Sequence, residues 1–381
     1  MVRTSFIASL ALSFVLSGCD NTVSDTSVDV GTGTDTASDT ASDPGTATDP
    51  ATDPGTDTDP GPAPEPFITC VDAPLPAAGA NASWEHTATE LMMLLHPDPD
   101  HSAQDVLVTD AVTAHIPGKF SYGSISKDLQ DEWIEVWLDD CSGAYVHVGD
   151  ALTDTDGRIS VEVPSGLLPG FGRFATFLRV KGDQTFVTSE LRMYPVSTSL
   201  IVTDIDGTLT ISDSELFQDI FADLFQPLLG GTYVPEPRVD ALPTMELRAD
   251  QGYALVYLSG RPYWLTDITK GWLADLAFPA GTVHVIDGTA AAAPNNDAVG
   301  EFKRVYLQDL LAMGFILDGA YGNATTDIYA YGLAPVDPNR TWIAGTHGGE
   351  EGTVAIGEDY TAHYAIAAAE PDVVQPFELV P

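Results

Sequence analysis

Two aspartates spaced by one residue and followed by glycine stand directly after the continuous run Ser199 to Thr203, at Asp204-Ile205-Asp206-Gly207-Thr208. Paired carboxylates at this spacing, beside a glycine that lets the backbone turn, suit a nucleophile and an acid/base partner around one phosphate. Asp204 would attack phosphorus to form an aspartyl-phosphate. Asp206 would protonate the leaving alcohol and later activate water, with Thr208 as a further phosphate contact. Calcium loops and acidic turns before helices carry the same pattern, so the segment needs companions.

Three companions follow in order. Ser259 and Gly260, in Ser259-Gly260-Arg261-Pro262, can form an oxyanion cradle if a helix begins there, although the serine could equally be an N-cap. Lys303, in Gly300-Glu301-Phe302-Lys303-Arg304, can offset the charge of a phosphate and of the attacking carboxylate. Asn323 and Asp327 close the set in Gly322-Asn323-Ala324-Thr325-Thr326-Asp327. Magnesium prefers oxygen ligands and keeps several waters. The side chains of Asp204 and Asp327 with the backbone carbonyl of Asp206 would therefore hold it, and Asn323 would orient that shell.

The elements that must position these residues read as strands and helices in alternation. Ser199 to Thr203 is a continuous apolar, β-favouring run, as in a parallel strand buried on both faces, and it delivers the aspartates to its carboxyl end. Ligands of open α/β sheets bind at that edge. Ala254 to Leu258 is a second such strand, and Pro262 suits the first turn of a helix continuing from Leu265 to Leu276. Lys303 falls at the start of a helical stretch running to about Met313, and Phe315 to Leu317 lead into the last motif.

These four elements resemble the motifs of the haloacid-dehalogenase superfamily, and more closely the catalytic domain of the lipins, magnesium-dependent phosphatidate phosphatases. The resemblance runs through DIDGTLT with Ser212-Asp213, YLSGRP with Asp267 and Thr269 to Leu273, Phe302-Lys303, GNATTDIYAY, and Arg340 to Ile343. It implies Asp204 as nucleophile, Asp206 as acid/base, Ser259 and Lys303 as phosphate contacts, and Asp327 with Asn323 at magnesium. It also implies a Rossmann-like domain with a parallel sheet and no large cap, accompanied by an immunoglobulin-like domain. Gly260 stands where lipins usually have alanine. Lipin-like domains of phosphatidylinositol-transfer proteins resemble the same fold but lack the complete aspartate pair. They suggest the alternative of phosphatidate binding without turnover, and a soluble phosphomonoester is a further alternative substrate.

The remainder of the chain frames this half. Residues 1–19 carry an early Arg3, an apolar run from Phe6 to Leu16 and the ending Leu16-Ser17-Gly18-Cys19. This reads as an export signal resembling the lipobox of bacterial lipoproteins, with Cys19 lipidated. Residues 20–66 are rich in Thr, Asp, Ser, Ala, Gly and Pro and cannot form a core, so they read as a solvated tether reaching roughly 40 Å. Residues 67–196 hold short β-rich runs between turn signals and read as a small β-sandwich, with a helix over His86 to Leu95. Two metal-like features there, His96 to His101 and Asp154 to Gly157, read as structural turns. The latter lacks the twelfth-position glutamate of an EF-hand, which is Ser165. With Cys19 lipidated, Cys70 and Cys141 remain either as a disulfide in an oxidising compartment or as two buried thiols.

The 381 residues carry a formal net charge of −41, which excludes broad nucleic-acid binding because the clustered Lys and Arg that neutralise phosphates are lacking. Anionic lipid headgroups stay accessible to a locally cationic site, since distant charges are screened beyond about 8 Å. The expectation is therefore a β-sandwich followed by an α/β phosphatase domain over residues 197–381. It would be lipid-anchored in a bacterial envelope and act outside the cytoplasm on a phosphomonoester, foremost phosphatidate. Oligomeric state is left open.

Overall fold

The computed structural model describes residues 65–123, 126–211, 236–286 and 296–379, all within one unit, Pro60–Pro381. Cys19, the tether up to residue 64, and Ser212-Asp213 lie outside the described residues.

The first part is β-rich because its chain alternates inward apolar with outward polar residues. Strands β1 (Glu65–Cys70), β2 (Val106–Thr109), β3 (His115–Lys119), β4 (Ser121–Tyr122), β5 (Lys127–Asp128), β6 (Trp133–Asp139), β7 (Tyr145–Leu152), β8 (Arg158–Glu162), β9 (Gly172–Val180) and β10 (Phe186–Tyr194) follow in order. Helix α1 (Thr87–Leu95) intervenes between β1 and β2. In β6, Ile134, Val136 and Leu138 point inward against Phe174, Leu178 and Val180 of β9. β9 is the hub: it pairs with β10 along one edge and with β1 and β6 along the other, while β3 and β8 form a separate two-stranded ribbon. Cys70 and Cys141 form a disulfide with Cα atoms 4.9 Å apart, tying β1 to the turn after β6.

The second part is a six-stranded sheet whose paired strands are all parallel. It contains β11 (Ser199–Thr203), β12 (Ala254–Pro262), β13 (Thr282–Ile286), β14 (Ile316–Gly322), β15 (Thr341–Ala344) and β16 (Val354–Gly357) in the order β13-β12-β11-β14-β15-β16. Every residue of β11 is buried, the reason its sequence shows no alternation. Ile201 faces a layer with Met245 of α2 (Ala241–Asp250) and Leu273 of α3 (Thr266–Asp275). Leu200 and Val202 face the opposite layer, with Leu307 and Leu310 of α4 (Asn296–Ala312) and Tyr331 of α5 (Thr325–Leu333). Helix α6 (Thr361–Ala367) completes the first layer, and β17 (Phe377–Leu379) ends the described chain.

Three features depart from the sequence reading. β1 begins at Glu65, inside the expected tether, and β17 leaves the α/β part to pair in parallel with β1. Phe377 packs there against the stacked pair Phe67 and Tyr194, its ring tilted to both, which rewards that return. The helix expected after Pro262 opens with a 3-10 turn, Tyr263–Leu265, before α3 starts at Thr266, while β12 continues through a register break as far as Pro262.

The two parts are joined by side chains that stand in for a missing strand. Gln104 donates to Val285 O at 2.8 Å and accepts from Val285 N at 3.1 Å, and Asp105 accepts from Val283 N at 3.0 Å. The open edge of β13 is thereby satisfied and closed to further pairing. Ser102 donates to Tyr263 O at 2.8 Å, and Lys270 of α3 is ion-paired with Asp105 at 2.6 Å.

Candidate active site

The central strand carries its ladder one residue past its end, since Asp204 N donates to Tyr321 O at 3.0 Å. The chain then turns at Gly207, where φ is +76° and a Cβ would lie 2.1 Å from Asn323 Nδ2. Only glycine satisfies both constraints. The turn is closed by Thr210, whose Oγ1 accepts from Gly207 N, and by Arg238, whose Nε donates to Gly207 O.

On this turn Asp204 is buried, and its two oxygens have separate tasks. Oδ1 accepts from Lys303 Nζ at 2.5 Å, and Oδ2 accepts from Thr208 Oγ1 at 2.9 Å. The same Lys303 ammonium donates to Asp327 Oδ1 at 2.7 Å, so one cation bridges two carboxylates brought together from β11 and α5. Asp327 Oδ2 is fixed by the amides of Asn323 and Ala324 at the amino end of α5, both at 3.0 Å. Close packing requires glycine again at 322, where a Cβ would lie 2.5 Å from that of Asp327.

Burial pushes the Asp204 carboxyl up to about 7; Lys303 opposes this, while Asp327 and Asp206 add to it. For Lys303, burial acts to release the proton, but Asp204 and Asp327 outweigh it and hold the ammonium well above its ordinary range. The lysine is therefore the fixed positive charge at the centre of the site.

Asp206 sits toward solvent, its side chain 12% exposed against 5% for Asp204 and 1% for Asp327. Arg261 grips it through a two-nitrogen fork, Nη2 to Oδ1 at 2.7 Å and Nε to Oδ2 at 2.9 Å, and Ser259 Oγ donates to Oδ2 at 3.1 Å. Thr269 of α3 accepts from Arg261 Nη1 at 3.0 Å and fixes the guanidinium plane.

The structure thus brings Asp204, Asp206, Thr208, Ser259, Lys303, Asn323 and Asp327 to one sheet edge. Thr208 turns its hydroxyl to Asp204 and to Asn323 Oδ1 at 3.1 Å, so its observed partners are site residues. Ser259 and Gly260 do not open a helix: both lie in β12, seven and six residues before α3, so the expected helix-end cradle is replaced by a strand end. Gly260 instead makes room for α4, a Cβ there lying 2.9 Å from Val299 Cγ1. Lys303 is in mid-helix rather than at its start, since α4 begins at Asn296. Sequence reasoning missed Arg261 and its anchor Thr269. The one signal was an arginine two residues after the serine on a strand end.

The features set aside in the sandwich are structural. Asp154 Oδ1 accepts from the amides of Asp156 and Arg158, and the His101 ring packs against Phe120 and Tyr122. Tyr263 and Trp272 are buried. Among the described residues no helix is long and apolar enough to cross a membrane, and no three His, Cys, Asp or Glu side chains converge as a ready-made metal cage.

Residues 201–345 match the family model of the LNS2 domain of PITM 1-3, a haloacid-dehalogenase-like fold, and residues 99–193 match the model of the β-sandwich domain of PITM 1-3. Both models come from one family. The chain is 27% identical over 303 residues to human (Homo sapiens) membrane-associated phosphatidylinositol transfer protein 3, covering 78% of this chain and 29% of that protein. It is also 27% identical over 272 residues to Protein retinal degeneration B of Drosophila melanogaster, covering 70% and 20%. The chain therefore spans between a fifth and three tenths of the length of these relatives. The resemblance is corrected accordingly: the matched models are those of PITM 1-3 and the matched relatives are phosphatidylinositol transfer proteins, not lipins specifically. Among solved structures, the Pnkp1/Rnl/Hen1 RNA repair complex overlaps 36% of this chain and 40% of that chain, with a TM-score of 0.27 and 17% identity, too low to bear on the fold.

Proposed function

We propose that this chain binds the phosphomonoester headgroup of an anionic phospholipid, of the phosphatidate class, at the carboxyl edge of its parallel sheet. The observation that carries the reading is the convergence of Lys303, Arg261 and Ser259 around Asp204 and Asp206 at one strand edge. Relatives named as membrane-associated phosphatidylinositol transfer proteins support a phospholipid partner.

A magnesium ion fits the donor set. The donor chemistry is all oxygen, and the two oxygens that converge, Oδ1 of Asp204 and Oδ1 of Asp327, do so on Lys303 Nζ, so an ion would share these carboxylates with the lysine. Three carboxylates against two cations leave one negative charge in excess, so a phosphate needs further positive charge to enter. Asp204, Asp327 and the Asp206 carbonyl would hold the ion, which would supply that charge. Lys303 keeps its proton and steadies the carboxylates, and Thr208 holds Asp204 in its rotamer.

Turnover is a second reading, favoured by the presence of both aspartates. An Asp204 oxygen would bond to phosphorus as the ester P–O bond breaks, and Asp206 would hand its proton to the departing oxygen. Water deprotonated by Asp206 would then release phosphate and restore Asp204. The chain would be a phosphoric monoester hydrolase, tethered at a bacterial envelope through Cys19.

Phosphatidylcholine vesicles with and without phosphatidate, sedimented with the full chain in the presence and absence of magnesium, test the first reading. Selective co-sedimentation with phosphatidate is expected, and equal partition to both vesicle types would reject it. Phosphate release in the same tubes, abolished by Asp204→Asn, tests the second; binding without release leaves a recognition module.

A further inference from the structure

We propose that the Arg261 fork has two alternating acceptors, Asp206 in the free protein and the phosphate when the site is filled, and that this exchange selects monoesters over diesters. The inference rests on the phosphate-binding reading above.

The geometry makes the two acceptors exclusive. The Nε–Nη2 edge of Arg261 is the edge that grips carboxylate or phosphate in a two-point fork, and it is spent on Asp206. The Nη1 corner is held by Thr269, which keeps that same edge aimed at the mouth of the site. Asp206 is the more exposed member of the pair, at 12% against 3%, and is the partner with room to yield. The Arg261 backbone is anchored as well, its amide donating to Ser259 Oγ at 3.1 Å.

An incoming group must therefore outcompete a carboxylate that already has a fork and a serine hydroxyl. A phosphomonoester brings about −1.5 to −2 charges and three terminal oxygens. Two oxygens can take the fork while the third faces Lys303 and its carboxylates. A diester has one charge and two terminal oxygens, so taking the fork leaves no terminal oxygen for the Lys303 side. Displacement also frees Oδ1 of Asp206 and leaves Oδ2 with its Ser259 bond, so the acid/base group becomes available only when a phosphate is in place.

The test compares phosphatidylcholine vesicles carrying either phosphatidylinositol or the phosphonate analogue of phosphatidate, which keeps three terminal oxygens but has no scissile ester oxygen at phosphorus. Wild type is expected to prefer the phosphonate lipid. Arg261→Lys keeps the charge but not the fork, and should weaken phosphonate binding roughly tenfold to a hundredfold with little change for phosphatidylinositol. The double variant Arg261→Gln/Asp206→Asn removes the unpaired carboxylate that could unfold a single variant, and should lose the same discrimination while melting near wild type. Variants that keep the wild-type ratio, or lose both lipids equally, would overturn the exchange and leave Arg261 a structural residue. If wild type binds neither lipid, the phosphate-binding reading falls first and this inference with it.

Discussion

Replacing Lys303 with methionine keeps most of the stem's volume and removes the ammonium. In the native site that ammonium lies 2.5 Å from Asp204 Oδ1 and 2.7 Å from Asp327 Oδ1, and all three residues are at least 96% buried. Its loss leaves two carboxylates facing one point with no counter-charge and little water. Removing one partner of a buried pair costs about 3–5 kcal/mol, and one cation serving two anions places Lys303→Met toward the upper end. At about 2–4 °C per kcal/mol, the melting temperature in EDTA should fall by roughly 6–20 °C. Two controls identify the cause. Lys303→Met/Asp327→Asn removes one of the facing charges and should recover most of the loss. Magnesium should also raise the melting temperature of Lys303→Met more than that of wild type, because the ion can take the vacated charge. Calorimetry or a dye-based melt reads all three. A Lys303→Met protein that melts within about 2 °C of wild type would refute the buried-bridge account.

Other perturbations report on separate parts of the structure. Gly207→Ala forces a side chain into a left-handed conformation, costing roughly 1–2 kcal/mol, and drives Asn323 from Thr208; phosphatidate vesicle binding should be lost, and unchanged binding would show that the turn can relax. His363 is buried against Arg248 and hydrogen-bonded to Tyr321 OH; burial first, then Arg248, lower its imidazole to about 4. Between pH 6.5 and 4 the unfolded chain takes up a proton that the folded one refuses, so stability falls as pH falls, by up to about 1.4 kcal/mol per unit from this residue. Urea midpoints across that window should show a shallower acid slope for His363→Gln, and an equal slope would count against the buried neutral imidazole. The disulfide closes a separation of 71 residues, so Cys70→Ser/Cys141→Ser should lose up to about 4 kcal/mol in urea unfolding; an unmoved midpoint would mean that the loop is already restrained without it.

The residues that meet at the sheet edge were legible because each closes a local pattern. Ser199 to Thr203 is too uniformly apolar to be an exposed strand, and Asp204 and Asp206 follow it directly. Lys303 was read as a cation on a helical stretch, and Asp327 as an acidic residue in the motif that follows Phe315 to Leu317. Arg261 was not, because its partner Asp206 is 55 residues away and no period or spacing marks a long-range fork. Gln104 and Asp105 were invisible for the same reason: side chains that imitate a strand for β13 leave no strand-like sequence. Pro117-Gly118 is a turn-favouring pair that nevertheless lies within β3, a place open to proline because β3 belongs to a two-stranded ribbon. Gly118 is needed there, since a Cβ would lie 2.7 Å from Leu178.

Those hidden contacts change what the sandwich does. A tethered accessory domain would leave the site indifferent to its presence, but here α3 is held from the sandwich side at two points. Ser102 bonds Tyr263 O and Thr266, and Asp105 pairs with Lys270. Between those points lies Thr269, the residue that orients Arg261 on Asp206. A shift of α3 would rotate the guanidinium fork before it moved either carboxylate of the Lys303 bridge, whose supports come from β11, α4 and α5. The sandwich therefore bears on the recognition side of the site, Arg261 and Asp206, while the Asp204–Lys303–Asp327 side is built by β11, α4 and α5 of the α/β part.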